Sequence, residues 1–307
     1  MQGFMGRAET RPSWDDINGR PSVRIFLGAL AAAMLIASCQ GIPPRSHRGP
    51  PAGVGARLVV HFIDVGQGDA TLITASTGER LLIDGGRSRS LIRERLRALG
   101  VANLDAVVAT HADADHLAGL LEVLDMYRVK RIYYHAELRT TVTYHNFVRA
   151  AQAERAQIID PRRGDQIILG DLVLAVLNPA PVLRGESNAD SIVLRLSCGT
   201  IDVLLMADAE APSEQDMLAA GVVGDVEVLK VGHHGSRTGT TQPFLAATTP
   251  EHAVISAGVG NSYGHPHPEV MRALQRIGAA IVMTDTDHSI DETVRLESDC
   301  VSYSLSR

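Results

Sequence analysis

From Arg57 to the chain end, short apolar runs broken by glycine and aspartate alternate with longer segments whose apolar positions recur every three or four residues. The runs predict strands at Leu58–Val65, Ala70–Thr74, Arg80–Ile83, Val107–Ala109 and Arg131–Tyr134 in the first half. In the second half they predict strands at Gln166–Leu169, Leu172–Leu177, Ser191–Leu196, Val203–Met206, Val226–Val231 and Ala253–Ser256. Helical spacing predicts helices at Leu91–Leu99, Leu117–Tyr127, Tyr144–Arg155, Pro212–Ala220 and Pro268–Ile277. Ala280–Thr284, Thr293–Leu296 and the chain end add edge strands. Strands cluster and helices fall between the clusters. That predicts an α+β domain of two mixed sheets packed together, with helices on the outer faces.

Before Arg57 the pattern changes. Ile25–Ser38 is almost uninterruptedly apolar, follows Arg20 and Arg24, and is too short for a comfortable transmembrane helix. It reads as the apolar section of a secretory signal. Its end, Leu35-Ile36-Ala37-Ser38-Cys39, resembles a bacterial lipoprotein signal. The resemblance implies an acylated Cys39 and an exported protein, anchored to a membrane on its periplasmic or cell-surface side. An ordinary signal peptide and a short anchor are the alternatives. Met1–Asn18, with both charge signs and Trp14, departs from the usual pattern. Gln40–Ala56 is rich in Pro, Gly and Arg and reads as a tether. Three parts follow: a signal at 1–38, a tether at 39–56 and a folded domain at 57–307.

Composition narrows the possibilities. Of 307 residues 45% are hydrophobic but only 4% aromatic, so aliphatic side chains must fill the core. Residues 39–307 hold 25 basic and 32 acidic side chains, a net −7, which argues against a broad basic face for duplex nucleic acid. A local basic groove is compatible with this balance, and bound divalent cations would offset several carboxylates. Cys198 and Cys300 can form one disulfide or remain two buried thiols. Neither has the neighbours of a zinc thiolate or a catalytic cysteine.

The acidic side chains concentrate where strands end. Thr110-His111-Ala112-Asp113-Ala114-Asp115-His116 places four potential metal ligands directly after the run at Val107–Ala109. Carboxylates packed this closely repel one another, and a divalent cation relieves the repulsion. A solvated acidic loop is the competing reading. It is disfavoured because further candidates recur at strand ends: Asp64 and Asp69 around Gly66-Gln67-Gly68, Asp84 before Gly85-Gly86, Asp208, His233-His234-Gly235-Ser236, and Tyr263-Gly264-His265-Pro266-His267.

These segments, in this order, resemble the metallo-β-lactamase superfamily, and most closely the hydrolase-like carboxyl-terminal domain of ComEC-type DNA-uptake proteins. The resemblance implies a four-layer αββα sandwich. It also implies a site in which His111 and Asp113 bind one metal, Asp115 and His116 bind a second, and Asp208 bridges them. His233 would complete the second position, with His234 competing for it. His265 would lie over the site as a late ligand or proton donor. Asp64, Asp69 and Asp84 would orient ligands or loops; for Asp64 a turn-capping role is equally open. His61, His267 and His288 read as structural or surface residues. Two features depart from the wider superfamily. Asp113 stands where a second histidine is usual, and Asn188 falls in the region of a missing midchain histidine. Both make the first position richer in oxygen, so manganese or magnesium becomes plausible beside zinc.

The implied chemistry is attack by an activated water, with Asp115 among the catalytic residues and His234 or His265 protonating the leaving oxygen. Ser236 and the amides near Gly235 would bind a phosphate oxygen. The leading expectation is a phosphodiesterase acting on a substrate such as single-stranded DNA. Arg87, Arg89, Arg93, Arg95 and Arg97 are candidates for a phosphate-guiding rim, against a solvated helix face. Hydrolysis of a lactone, β-lactam or envelope phosphoester is the second expectation, and a non-catalytic, metal-stabilised binding module the third.

Overall fold

A computed structural model describes residues 57–135, 141–284 and 294–306. The apolar segment and Cys39 lie outside these residues, as does His288. Among the described residues no helix is long and apolar enough to cross a membrane.

Strands β1 (Leu58–Phe62), β2 (Thr71–Ala75) and β3 (Arg80–Ile83) form an antiparallel meander. Helix α1 (Arg89–Ala98), β4 (Ala106–Val108), α2 (Ala114–Met126), β5 (Arg131–Tyr133), α3 (Val142–Ala153) and β6 (Gln157–Ile159) then extend it with parallel strands. The second half repeats this plan. Strands β7 (Gln166–Leu169), β8 (Leu172–Asn178), β9 (Val193–Cys198) and β10 (Ile201–Leu205) are antiparallel. They lead through α4 (Ala211–Ala219), β11 (Val228–Lys230), α5 (Gln242–Thr248), β12 (His252–Ile255), α6 (Pro268–Arg276) and β13 (Ala280–Met283), in which β10 to β13 are parallel. Strands β14 (Val294–Ser298) and β15 (Tyr303–Ser306) return to the first sheet beside β1. The sheets run β15-β14-β1-β2-β3-β4-β5-β6 and β13-β12-β11-β10-β9-β8-β7.

Alternation within the strands builds three apolar layers. Leu58, Val60 and Phe62 of β1 meet Leu174, Leu196 and Val203 of the other sheet in the central layer. Leu82 and Val107 point the opposite way, onto Ile92, Leu120 and Phe147 of the first helical layer. Leu229 and Ile255 do the same against Phe244 and Leu274 on the second sheet. The result is the expected αββα sandwich of two mixed sheets with outer helices. Residues one apart on a strand face different layers, so a charged residue in this pattern must find a partner inside the protein.

Four elements differ from the sequence reading. Helix α1 starts at Arg89, because the Ser88 hydroxyl accepts the Leu91 amide as an N-cap. Helix α2 starts at Ala114, which puts Asp115 and His116 in its first turn. Strand β6, largely exposed, and the short helix α5 were not predicted, since neither has clear periodicity. Cys198 and Cys300 are joined as a disulfide between β9 and the turn after β14, with Cα atoms 4.8 Å apart.

Candidate metal centre

The site forms at one end of the central layer, where the parallel strands of both sheets terminate. At the end of β3, Asp84 adopts φ 58° and binds three groups. Its Oδ1 accepts the Thr110 amide at 2.9 Å, and its Oδ2 accepts the Thr110 hydroxyl at 2.7 Å and Nδ1 of His116 at 2.7 Å. His116 therefore keeps Nε2 free to face inward. The Gly66–Asp69 loop packs against the same turn. The Asp69 amide donates to the Asp115 carbonyl, and a Cβ on Gly68 (φ 120°) would lie 2.0 Å from that oxygen. Only glycine fits there. Gly119 similarly lets α2 close on the Gly85 carbonyl, 1.8 Å from where its Cβ would stand.

The second sheet contributes from β10 and β11. Asp208 follows β10 and is buried. After β11, His233 and His234 adopt consecutive left-handed conformations, φ 45° and 54°. Each costs about 1–3 kcal/mol in a residue with a side chain, a strain typical of functional sites. The His233 amide is held on the Ala207 carbonyl at 2.8 Å, which ties this turn to the one carrying Asp208.

The two carboxylate oxygens of Asp208 face different groups. Oδ1 lies 3.2 Å from His116 Nε2 and 3.5 Å from His234 Nε2; the latter is also 3.5 Å from Asp115 Oδ2. Oδ2 lies 3.7 Å from His111 Nε2 and 3.7 Å from His233 Nε2. His111 Nε2 is 3.8 Å from Asp113 Oδ2. Asp115, His116 and His234 thus converge beside Asp208, and His111 converges with His116 on the same carboxylate. Asp113 faces His111 and His233 faces Asp208 Oδ2, without closing a three-residue group of their own among the described residues. The placement of His233 differs from the sequence expectation: His234 occupies the position beside Asp115 and His116. The reversed turn sends the two rings to different oxygens of Asp208, an arrangement invisible in the pair His-His.

Electrostatics match this geometry. Burial opposes charge on His116 and His234, yet Asp208 with Asp84, and Asp208 with Asp69, outweigh it, holding His116 well above its ordinary value and His234 at about 10. Burial, then His116, lowers His111. Burial alone would raise Asp208, but His234 and His116 hold it well below the carboxylate range. Positive charge is required among these carboxylates, as imidazolium or as bound cations. The buried Nε2 atoms of His111, His116 and His234 and Oδ1 of Asp208 have no hydrogen-bond partner. Buried polar atoms are rarely left so, and a shared focus of such atoms fits a divalent ion. Among the described residues, three ligand groupings arise: His111–His116–Asp208, Asp115–His116–His234 and Asp69–Asp208–His234.

His265 sits at the mouth, half-exposed, its ring 5.4 Å from that of His233 and 6.2 Å from that of His234. Burial first, then His233 and His234, lower it to about 4. The Asn261 side chain pins its loop, accepting the His265 amide at 3.0 Å and donating to the His265 carbonyl at 2.6 Å.

Other expectations are redistributed. Asp64 accepts the Gly66 amide at 2.8 Å and pairs with Arg95 at 2.8 Å, so it is a turn cap and core ion pair remote from the ligand atoms. Arg95 is buried, so it does not belong to a phosphate-guiding rim, while Arg89 and Arg93 keep partly exposed side chains and pair with Glu122. Ser236 is buried and its hydroxyl accepts from Thr238. His267 caps α6 at the surface. Two residues escaped the sequence reading. Glu210 accepts Nδ1 of His233 at 2.9 Å and fixes that ring. Lys230 is buried and pairs with Asp69 at 2.7 Å. A lone lysine inside the apolar run Val226–Val231 was the available signal, because such a cation needs a buried partner.

Fold and site together define a metal-dependent hydrolase of the metallo-β-lactamase type. Residues 63–259 match the metallo-beta-lactamase superfamily, and the chain belongs to it. It is 33% identical over 250 residues to ComE operon protein 3 of Bacillus subtilis (strain 168), covering 75% of this chain and 32% of that protein. It is 32% identical over 232 residues to Recombination protein 2 of Haemophilus influenzae, covering 73% of this chain and 27% of the relative. The chain therefore spans about a third or less of the length of these relatives. Among solved structures, CmlA, a diiron β-hydroxylase from Streptomyces venezuelae, superposes with a TM-score of 0.50 at 14% identity, covering 81% of this chain and 55% of that one. That likeness concerns the fold alone.

Proposed function

We propose that this protein is a two-cation phosphodiesterase acting on nucleic acid strands, with single-stranded DNA as the candidate substrate. The observation that carries the reading is Asp208, whose Oδ1 faces His116 and His234 and whose Oδ2 faces His111 and His233. His111, Asp113 and His233 would hold one ion and Asp115, His116 and His234 the other. Such a pair supplies Lewis acidity, lowers the pKa of water and neutralises charge on phosphate oxygens. Each position would then combine two imidazoles with its own aspartate and the shared Asp208, a mixed nitrogen and oxygen set that suits zinc or manganese.

The chain's own residues do the remaining work. Asp208 sets the separation of the two groups, and Glu210 and Asp84 hold His233 and His116 in fixed tautomers. Both nitrogens of His234 are committed, Nδ1 to the Ser256 carbonyl at 2.9 Å and Nε2 to the ligand cluster. Protonation of the leaving oxygen therefore falls to His265. A phosphodiester at the mouth brings negative charge, which opposes the lowering of that imidazole. Tyr263, 52% exposed and stacked on His265, offers an aromatic face to a base. The relative named for recombination favours a nucleic acid substrate. Export and membrane attachment through an acylated Cys39 belong to the same proposal.

The test uses the full chain, stripped of metal and restored with zinc, manganese or magnesium singly. Manganese- or zinc-dependent cleavage of single-stranded DNA and bis-p-nitrophenyl phosphate is expected, and Asp208→Ala should reduce it by at least about 1000-fold, because both ligand groups lose their shared carboxylate. Retained activity in Asp208→Ala, or turnover of nitrocefin without diester cleavage, refutes the reading.

A further inference from the structure

The cation of Lys230 lies where no substrate reaches it. Its side chain is 2% exposed and lies on the same face of β11 as Val228, between the sheets, among Thr71, Ile83, Leu194 and Leu205. Nζ donates to Asp69 Oδ2 at 2.7 Å and to the Val231 carbonyl at 3.0 Å. Burying a lysine and an aspartate costs several kcal/mol in desolvation, so the pair is not explained as a simple gain in stability. Its placement suggests a different role. The other oxygen of Asp69, Oδ1, is buried without a hydrogen bond and lies 3.2 Å from Nδ1 of His234. The Asp69 backbone also joins the site, with its amide on the Asp115 carbonyl and its carbonyl accepting from Gly86. Asp69 thus touches both a residue of the ligand cluster and the turn that carries a second one. Lys230 is the cation that holds it there.

We propose that Lys230 is a positioning residue: from within the central layer it clamps one oxygen of Asp69, so that the other stays against the His234 ring and, beside the Ser256 carbonyl that accepts from Nδ1, helps keep Nε2 turned toward Asp115 and Asp208. This rests on the two-position reading of the site. Lysine suits the task because a compact ammonium at the end of a long stem can cross the layer to a carboxylate supplied by the opposite sheet. Without it, the Asp69 carboxylate would lose the nearer of its two counter-ions, leaving only the His234 imidazole. It would turn toward water or toward the ligand cluster, and His234 would lose a fixed neighbour.

The test is a metal-binding cycle on the full chain with Lys230→Met, Asp69→Asn and the double variant. Zinc affinity is read by competition with a chromogenic chelator, and ligand geometry by cobalt absorption, neither of which depends on hydrolysis. Wild type should bind two equivalents. Lys230→Met and Asp69→Asn should each weaken one equivalent by about 10–100-fold, the range typical for groups that orient a metal-binding histidine. If Lys230 acts through Asp69, the double variant binds like Asp69→Asn. That comparison remains decisive if Lys230→Met alone does not fold. The proposal is overturned if folded Lys230→Met binds both equivalents as wild type does, or if the double variant is much weaker than Asp69→Asn. A wild type that binds fewer than two equivalents overturns the two-position reading and this inference together. A wild type that binds two but cleaves no diester overturns the proposed function alone.

Discussion

Replacing Arg95 with methionine separates a surface role from a core role. The guanidinium donates from Nε to the Asp64 carbonyl at 2.9 Å and from a terminal nitrogen to Asp64 Oδ2 at 2.8 Å. The two side chains are 5% and 3% exposed. Arg95→Met would leave the Asp64 carboxylate in a setting from which water is excluded. Breaking a buried pair from one side costs about 3–5 kcal/mol. In a domain of this length each kcal/mol lowers the midpoint by about 2–4 °C, so a fall of roughly 6–20 °C is expected. Arg93→Met is the control, since Arg93 is 42% exposed and its partner Glu122, itself buried, keeps a second arginine in Arg89; it should change the midpoint far less. Thermal unfolding of both variants, with fluorescence anisotropy on labelled single-stranded DNA, reads the two roles separately. A wild-type midpoint for Arg95→Met together with weakened DNA binding would refute the core assignment and restore the arginine rim.

Three further outcomes are expected. Stripping metal with a chelator should lower the midpoint of thermal unfolding, and zinc or manganese should restore it, because ions that bind only the folded site stabilise it by mass action; an unchanged midpoint in calorimetry counts against a cation site. His61, lowered to about 4 by burial and then by Arg295, resists protonation when folded but takes a proton near 6.5 when unfolded. Acid therefore favours unfolding, and stability is lost as pH falls from about 6.5 toward 4. Metal-free His61→Gln should show a shallower loss in urea titrations over that window, and an identical slope would contradict the assignment. The disulfide spans 102 residues, so reduction, or Cys198→Ser with Cys300→Ser, should cost about 2–4 kcal/mol in urea unfolding; equal stability with and without reductant would argue against a bond that constrains the unfolded chain.

Much of the fold was legible because strand periodicity is local. The alternation in Leu58–Phe62 and the paired apolar faces of the second half each state which side is buried, and two such sheets pack in few ways. Chain boundaries were less legible. Helix α2 begins before its first large apolar residue, so its start depends on the Asp113 turn and not on hydrophobic spacing. Strand β6 lies at a sheet edge and is largely exposed, which removes the burial signal that marks its neighbours.

The chemistry divides along the same line. Which acids and imidazoles end the strands can be read from the chain alone, because a ligand-bearing turn needs its residues and glycines in sequence. Their partners cannot. Arg95 meets Asp64 across 31 residues and Lys230 meets Asp69 across 161, so one changes from a surface candidate to a core group and the other from an oddity in an apolar run to part of the site. The division of His233 and His234 between the two oxygens of Asp208 depends on two positive φ angles, which adjacency in sequence does not encode. Local composition sets what each turn can donate; only the packing of one sheet over the other decides where each donor points and what charge it meets.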